Sequence, residues 1–290
     1  MSDNITREDV NTLISFLQQD PIPQFTNGPK VKQFEDEWGK WLGTKNNIMV
    51  GSGSMANELS LLALKFLHPD GGEILVSPLG WVSDFAAILH AGFTPVFCDI
   101  NLKNLSINVH DVRRKITSKT KALLLVHILG YNGLSDDVIN ICQTHNITLI
   151  EDCCESHGAT FKGQKVGTFG SISNFSFFYA HHLCSLAEGG MICTNDENLF
   201  NLFRCFRSHG MVRECPDQRF KDLILKQNPE LNPDFIFLEA SHNGRSQEVN
   251  AVVALNQLKS LDANNAIRSD NLLYFWIRIT LYVRIIYYIF

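Results

Sequence analysis

Between Leu149 and Asp196 the chain gathers acids, imidazoles and a hydroxyl at the ends of apolar runs. Glu151 and Asp152 close a run of Ile147, Leu149 and Ile150 that reads as a buried strand. A second run, Phe175 to Phe178, carries Ser176 and leads into His181 and His182, and Gly189-Gly190 then introduces a third, Met191 to Thr194. Carboxylates and imidazoles at the ends of buried strands are where open α/β sheets place ligands. Upstream, G-S-G-S-M-A-N at 51–57 lies between the strand-like Asn47–Val50 and a helical run, Glu58–Phe66. Small residues there let backbone N–H groups approach an anion, and the helix dipole adds to the attraction, so phosphate is the natural guest. A plain structural turn is the alternative. A dinucleotide fingerprint is a third reading, matched only in part: the third glycine is missing, and Glu73 opens a strand instead of closing one. Trp81, just past Ser77-Pro78, is either a core aromatic or a ring for stacking on a planar ligand.

The elements that must position these groups follow in order. Thr6 with Asp9 predicts a capping box opening a helix to Leu17, and 20–30 reads as a proline- and glycine-rich loop. Val31, Phe34, Trp38 and Leu42 share one helical face. Strand-like and helical runs then alternate through Ile74–Ser77, Phe85–Ala91, Pro95–Asp99, Val109–Ile116, Ala122–His127, Asp136–His145 and Thr148–Glu151. That alternation predicts an α/β fold with a mostly parallel sheet flanked by helices.

With 290 residues, 45% of them hydrophobic, the chain can bury a full core. A net charge of −5 gives no basic field and points away from nucleic acid. Eight cysteines without C-x-x-C pairs read as reduced thiols of a cytoplasmic protein, with no zinc site. Cys215 is expected to be inert or at the surface. The N-terminus lacks an apolar signal segment, and the closing Y-F-W-I-R-I-T-L-Y-V-R-I-I-Y-Y-I-F is too interrupted by arginine for a membrane span.

Taken together, F-T-N-G-P-K-V-K-Q-F-E, V-G-S-G-S-M-A-N, S-P-L-G-W, I-E-D-C-C-E-S-H-G-A, K-V-G-T-F-G, F-S-F-F, E-G-G-M-I-C-T-N-D, R-S-H-G-M and N-G-R-S-Q-E occur in order across roughly residues 20–270. This pattern resembles the DegT/DnrJ/EryC1/StrS sugar-aminotransferase family, whose members use pyridoxal phosphate on the aspartate-aminotransferase fold (fold type I). The resemblance implies a homodimer and a set of roles. Gly53, Ser54 and Ser176 would hold the cofactor phosphate, Trp81 would stack on the ring, and Asp152 would meet its protonated nitrogen. Asn243 would reach the phosphate of the neighbouring subunit. Read from the residues and not from the resemblance, His209 and Arg245 are further candidates for substrate contact, with an ion pair an equal reading for Arg245.

One departure redirects the chemistry. The family's cofactor-anchoring lysine stands five residues beyond the serine, and here that position is His181. An imidazole cannot hold the aldehyde covalently, but it can carry a proton near neutrality. Lys162 and Lys165 sit in a glycine-rich turn, poorly placed to replace the missing amine. Histidine here, with Glu155 where aminotransferases usually carry glutamine, resembles the family's 3-dehydratase branch, which acts on nucleotide-linked 4-keto-6-deoxyhexoses in deoxysugar and lipopolysaccharide biosynthesis. The resemblance then implies non-covalent pyridoxal or pyridoxamine phosphate, glutamate as amino donor, His181 as acid and base, and loss of the C3 hydroxyl. A single cysteine, Cys215, after R-S-H-G favours the kind without an iron–sulfur cluster. An aminotransferase of the same family and an inactive, truncated homologue are the alternatives.

The expected organisation is an N-terminal helical segment (1–19), a cofactor-binding large domain (20–250), and an incomplete start of a small C-terminal domain (251–290). The last reading treats the C-terminus as truncated or frameshifted. Ser241-His242 stand where the family usually has glycine and tyrosine, at the expected cross-subunit contact.

Overall fold

The computed structural model describes residues 4–289, with side chains to 279. Its centre is a seven-stranded sheet built from β1 (Asn46–Val50), β2 (Glu73–Val76), β3 (Thr94–Phe97), β4 (Thr120–Val126), β5 (Thr148–Asp152), β8 (Ile172–Ser176) and β9 (Gly190–Thr194). The spatial order is β1-β9-β8-β5-β4-β2-β3, and only β9 runs antiparallel to its neighbours. A small hairpin, β6 (Thr160–Phe161) with β7 (Gln164–Lys165), fills the β5–β8 connection.

Helices cover both faces, which is why the central strands read as continuous apolar runs. One face packs against α2 (Pro29–Leu42), α5 (Val109–Lys115), α6 (Asp136–Thr144) and α9 (Glu248–Leu258), through Phe34, Trp38, Val112, Val138 and Ala251. The other packs against α3 (Gly53–Leu67), α4 (Val82–His90) and α7 (Glu197–Phe206), through Leu59, Leu64, Ile88 and Phe203. Strand alternation sends Leu149 and Cys153 to the first core and Ile150 to the second.

The Thr6/Asp9 capping box opens α1 (Arg7–Leu17) as expected. The apolar face of α2 is the predicted one: Val31, Phe34, Trp38 and Leu42 are all buried. Its N-terminus is capped from far away. The Glu248 carboxylate accepts hydrogen bonds from the N–H groups of Gly28 (2.9 Å), Lys30 (2.8 Å) and Val31 (2.8 Å). This ties α9 to α2, so the boundary expected at 250/251 falls inside a helix whose Ala251–Ala254 are buried. Downstream come α8 (Gln218–Gln227) and the 29-residue α10 (Leu261–Ile289). Among the described residues no helix is long and apolar enough to cross a membrane.

Two local expectations are corrected. The stretch 51–57 is mostly helix: α3 starts at Gly53, because the Ser52 hydroxyl accepts from Met55 N (3.1 Å) and Ala56 and Leu59 already face the core. Of the readings inert or at the surface for Cys215, burial removes the second: it is 2% exposed, beside the Cys205 thiol. A hydrogen bond from Cys205 brings its pKa down to about 7, and the same contact with burial pushes the Cys205 thiol up.

Candidate active site

The C-terminal ends of β5 and β8 lie side by side, with Asp152 opposite Asn174, and the N-terminus of α3 meets them. Gly53 is the first residue of that helix. A Cβ placed on it would lie 2.5 Å from Ser176 Cβ and 3.0 Å from Cys154 Sγ, so only glycine lets the helix end come this close. Ser54 is exposed in the first turn, while Ser176 is 6% exposed and its hydroxyl accepts from Phe178 N (3.3 Å). Free N–H groups, a positive helix end and two hydroxyls are a donor set for an anion such as phosphate.

Asp152 is buried at the tip of β5. Its Oδ1 accepts from Cys154 N (2.9 Å), and its Oδ2 from the Asn57 amide (2.8 Å). The same amide nitrogen donates to Asp84 Oδ1 (2.8 Å). Asn57 is oriented by Asn174, whose amide donates to Asn57 Oδ1 (2.8 Å) and whose oxygen accepts from Ser60 (2.9 Å). Asp84 also caps α4, accepting from Trp81 N (3.0 Å). Burial and the neighbouring Asp152 hold its carboxyl well above the usual carboxylate range.

Trp81 is the N-cap of α4 and its side chain is 72% exposed. It is therefore not a core aromatic. His181 sits on the turn after β8, its N–H donating to Phe178 O (2.9 Å). Burial pulls its pKa below the ordinary histidine value, and Glu155 and Asp152 partly oppose that. Its ring is 6.2 Å from that of His157, which in turn lies 5.4 Å from the His182 ring and packs on Trp38, Phe175 and Phe177. Burial holds the His182 pKa down at about 4. Glu155 is tied down through Leu129 N, which donates to its carboxylate (2.7 Å).

Lys162 and Lys165 are committed elsewhere. Lys165 Nζ donates to Trp41 O (2.7 Å) and lies over the Trp41 ring, and Lys162 pairs with Asp136.

Residues 3–277 match the DegT/DnrJ/EryC1/StrS aminotransferase family. The chain belongs to that family. It is 36% identical over 255 residues to the GDP-4-keto-6-deoxy-D-mannose 3-dehydratase of Escherichia coli O55:H7 (strain CB9615 / EPEC), covering 87% of this chain and 65% of that protein. It is 32% identical over 237 residues to the GDP-perosamine synthase of Escherichia coli O157:H7, covering 82% and 59%. Among solved structures, the E. coli 3-dehydratase with bound hydrated PLP aligns at a TM-score of 0.84 and 32% identity, over 95% of this chain and 71% of that one. The chain thus spans less than two thirds of the length of these curated relatives. The fold is the expected fold type I architecture of this family.

Asn243 and Arg245, the candidates on the segment after α8, are brought to the α3 end. Gly51 N donates to Gly244 O (3.1 Å), Val50 bridges to Arg245, and Ser208 bridges to Asn243. Asn243 is exposed, and its Oδ1 accepts from Arg245 N (3.3 Å). Among the described residues no carboxylate lies in ion-pair distance of Arg245, so the ion-pair reading finds no partner. His209, in the left-handed region at φ 63°, is held by its N–H to His242 O (2.9 Å).

Family resemblance and spacing alike missed Asp84 and Asn57 as parts of this site. The one sequence signal was Asp84 three residues after Trp81, where an acid caps a helix. A buried trio of His127, Glu151 and Cys153 has ligand atoms within 4.8 Å of one another. It is already satisfied without a metal. Glu151 accepts from Gly167 N (2.8 Å), Phe169 N (2.8 Å), Gly170 N (2.6 Å) and His127 Nε2 (3.1 Å). A groove of about 740 Å³ lined by Phe16, Trp41, Val252 and Leu255 lies between α1, α2 and α9 and holds none of the predicted site residues.

Proposed function

We propose that this chain is a pyridoxamine-phosphate-dependent 3-dehydratase of nucleotide-linked 4-keto-6-deoxyhexoses, acting in deoxysugar and lipopolysaccharide biosynthesis. The observation that carries this is an imidazole, His181, at the place of the family's lysine, with the neighbouring lysines 162 and 165 engaged elsewhere. The residues present fit the cofactor. The α3 N-terminus, unobstructed at Gly53, with Ser54 and Ser176, suits its phosphate. The buried Asp152 carboxylate suits a protonated ring nitrogen, and the exposed Trp81 ring suits stacking on its face.

When bound, the cofactor supplies an electron sink for negative charge developing next to the sugar's former carbonyl carbon. Asp152 sustains that sink by keeping a positive charge on the ring nitrogen. His181, neutral at pH 7 because burial disfavours its charged form, takes a proton and returns one as the C3 hydroxyl departs as water. Glu155, anchored by Leu129 N, faces His181 and favours its protonated form once a proton has arrived. Asn243 reaches the phosphate of a second subunit in a homodimer, and His209 and Arg245 contact the sugar nucleotide. Glutamate serves as the amino donor, and the setting is cytoplasmic.

Incubation with pyridoxamine phosphate and a panel of nucleotide 4-keto-6-deoxyhexoses, read by mass spectrometry, tests the reading. Loss of the C3 oxygen with the C4 ketone retained is expected. A 4-amino product assigns the chain to the aminotransferases instead, and absence of any product despite cofactor binding refutes the dehydratase assignment for this chain.

A further inference from the structure

The pair Asp84 and Asp152 is more than a single acid with a neighbour. The two carboxyl groups come from different elements, α4 and β5, and lie in hydrogen-bonding reach of each other. One amide nitrogen, that of Asn57, donates to both at 2.8 Å. Asp84 and Asp152 are 1% and 5% exposed, and Asn57 is 1% exposed. Gly80 leaves room for the arrangement, since a Cβ there would lie 2.7 Å from Asp84 Oδ2. Two ionised carboxylates packed so tightly away from water repel each other strongly, so the pair retains a proton.

We propose that Asp84 is a proton-carrying positioning residue, whose carboxylic acid donates to Asp152 and fixes that carboxylate as a single, singly charged acceptor for a cationic ring nitrogen. The inference rests on the reading of Asp152 as the cofactor's nitrogen partner, but the shared proton itself does not. Charge balance favours the arrangement. One negative charge on the pair meets one positive charge on the ring nitrogen, whereas two would leave a buried charge uncompensated. The other titratable groups facing the pair are Glu155, which adds to the repulsion at Asp84, the Cys154 thiol, which faces both acids, and His181, which faces Asp152 and Glu155. Burial and Asp152 raise the Cys154 pKa well above its ordinary value, so the thiol stays neutral and brings no further charge.

The sign of the linkage gives a test that needs no cofactor. A group whose folded-state pKa is raised makes stability fall as pH rises, from its unfolded pKa near 4 up to the folded value. Asp84→Asn keeps the size and can donate to Asp152, but has no proton to lose. It gives up one of the two acceptors used by Asn57 and by Trp81 N. The loss of that acceptor shifts stability equally at every pH and leaves the slope as the readout. Urea unfolding of wild type and Asp84→Asn is measured between pH 5 and 8. The unfolding equilibrium constant of the wild type is expected to rise relative to the variant by up to tenfold per pH unit. Parallel curves for the two proteins overturn the proposal. If Asp84→Asn does not fold, Asp152→Asn is measured in the same way. Loss of the partner's charge is expected to let Asp84 ionise at lower pH and flatten the decline, and an unchanged decline overturns the proposal equally. Titration with pyridoxal phosphate, followed by its absorbance, separates this from the functional reading. Diverging pH curves without cofactor binding leave the shared proton standing and remove the dehydratase assignment. Binding with parallel curves does the reverse.

Discussion

Replacing Glu151 with glutamine tests how the site's floor is built. The carboxylate accepts four hydrogen bonds with no exposure to water, two at each oxygen. Gly133 N donates to His127 Nδ1 (2.9 Å), which fixes the hydrogen on Nε2 and makes it a donor to Glu151. An amide keeps one accepting oxygen and turns an NH₂ group towards two donors, whichever way it is rotated. Two buried N–H groups lose their acceptor at about 1–3 kcal/mol each, so we expect a loss of about 3–5 kcal/mol, as for other broken buried ionic networks. For a chain of this size that is a fall in Tm of roughly 6–12 °C. Urea unfolding should show a lower midpoint at unchanged slope. The pH dependence supplies a second check. Burial raises the Glu151 pKa, but the hydrogen bonds from His127, Gly167 and Gly170 outweigh it, and the carboxyl ionises below its ordinary range. Its contribution is therefore complete above the unfolded carboxyl pKa of about 4.3 and is lost as pH falls through the folded value. Wild type and variant should converge in acid. A loss under about 1 kcal/mol at pH 7, or a gap that persists in acid, would falsify this account of the 167–170 loop.

Three further outcomes are expected. Gly53→Ala places a methyl 2.5 Å from Ser176 Cβ; overpacking of this kind costs about 1–3 kcal/mol, and pyridoxal phosphate affinity should fall about tenfold or more by absorbance titration, with Ser176→Gly restoring stability to the double variant. Arg207→Met removes the buried partner of Glu35 (2.6 Å) and of Met49 O (3.1 Å), and should cost about 3–5 kcal/mol in chemical denaturation because Glu35 is left buried. His181→Asn should reduce turnover of a 4-keto sugar by about 10²-fold or more while cofactor absorbance is retained. In the wild type, the acidic limb of the rate profile should lie below the ordinary histidine pKa, because burial lowers that of His181; an acidic limb above about 6.5 would contradict its role as base.

Much of this architecture was legible in local pattern. The spacing of Val31, Phe34, Trp38 and Leu42 gave α2, and alternating runs gave the parallel sheet, because each depends on near neighbours in sequence. The start of α3 was misplaced because G-S-G-S has poor helix propensity, and a serine cap with tertiary packing overrides it. The capping of α2 by Glu248 was invisible, since its partners lie 217–220 residues away in sequence. Asp84 was hidden for the same reason: nothing in S-D-F announces that Asn57 and Asp152 will arrive on the same side of the sheet. Of the two readings of Cys215, inert or at the surface, only the surface one fails, since the residue packs against the second core with Cys205.

Strand periodicity explains why adjacent acids, Glu151 and Asp152, serve such different ends. Leu149 and Cys153 face the core that contains α2, and Ile150 faces the one that contains α3. Glu151 therefore points with the first set, where it gathers the 167–170 loop, and Asp152 with the second, where Asn57 waits. Strand β8 repeats the division: Ser173 donates to Gly167 O (2.7 Å), and Asn174 donates to Asn57. The pairings Glu151 with Ser173 and Asp152 with Asn174 keep the two polar sets in step. A slip of one residue in either strand would turn its polar groups onto the opposite face. Each acid would then sit buried without its donors, at several kcal/mol apiece. The register of β5 against β8 is thus held by polar satisfaction on both faces, and with it the approach of Ser176, Gly53 and Asp152 to one another.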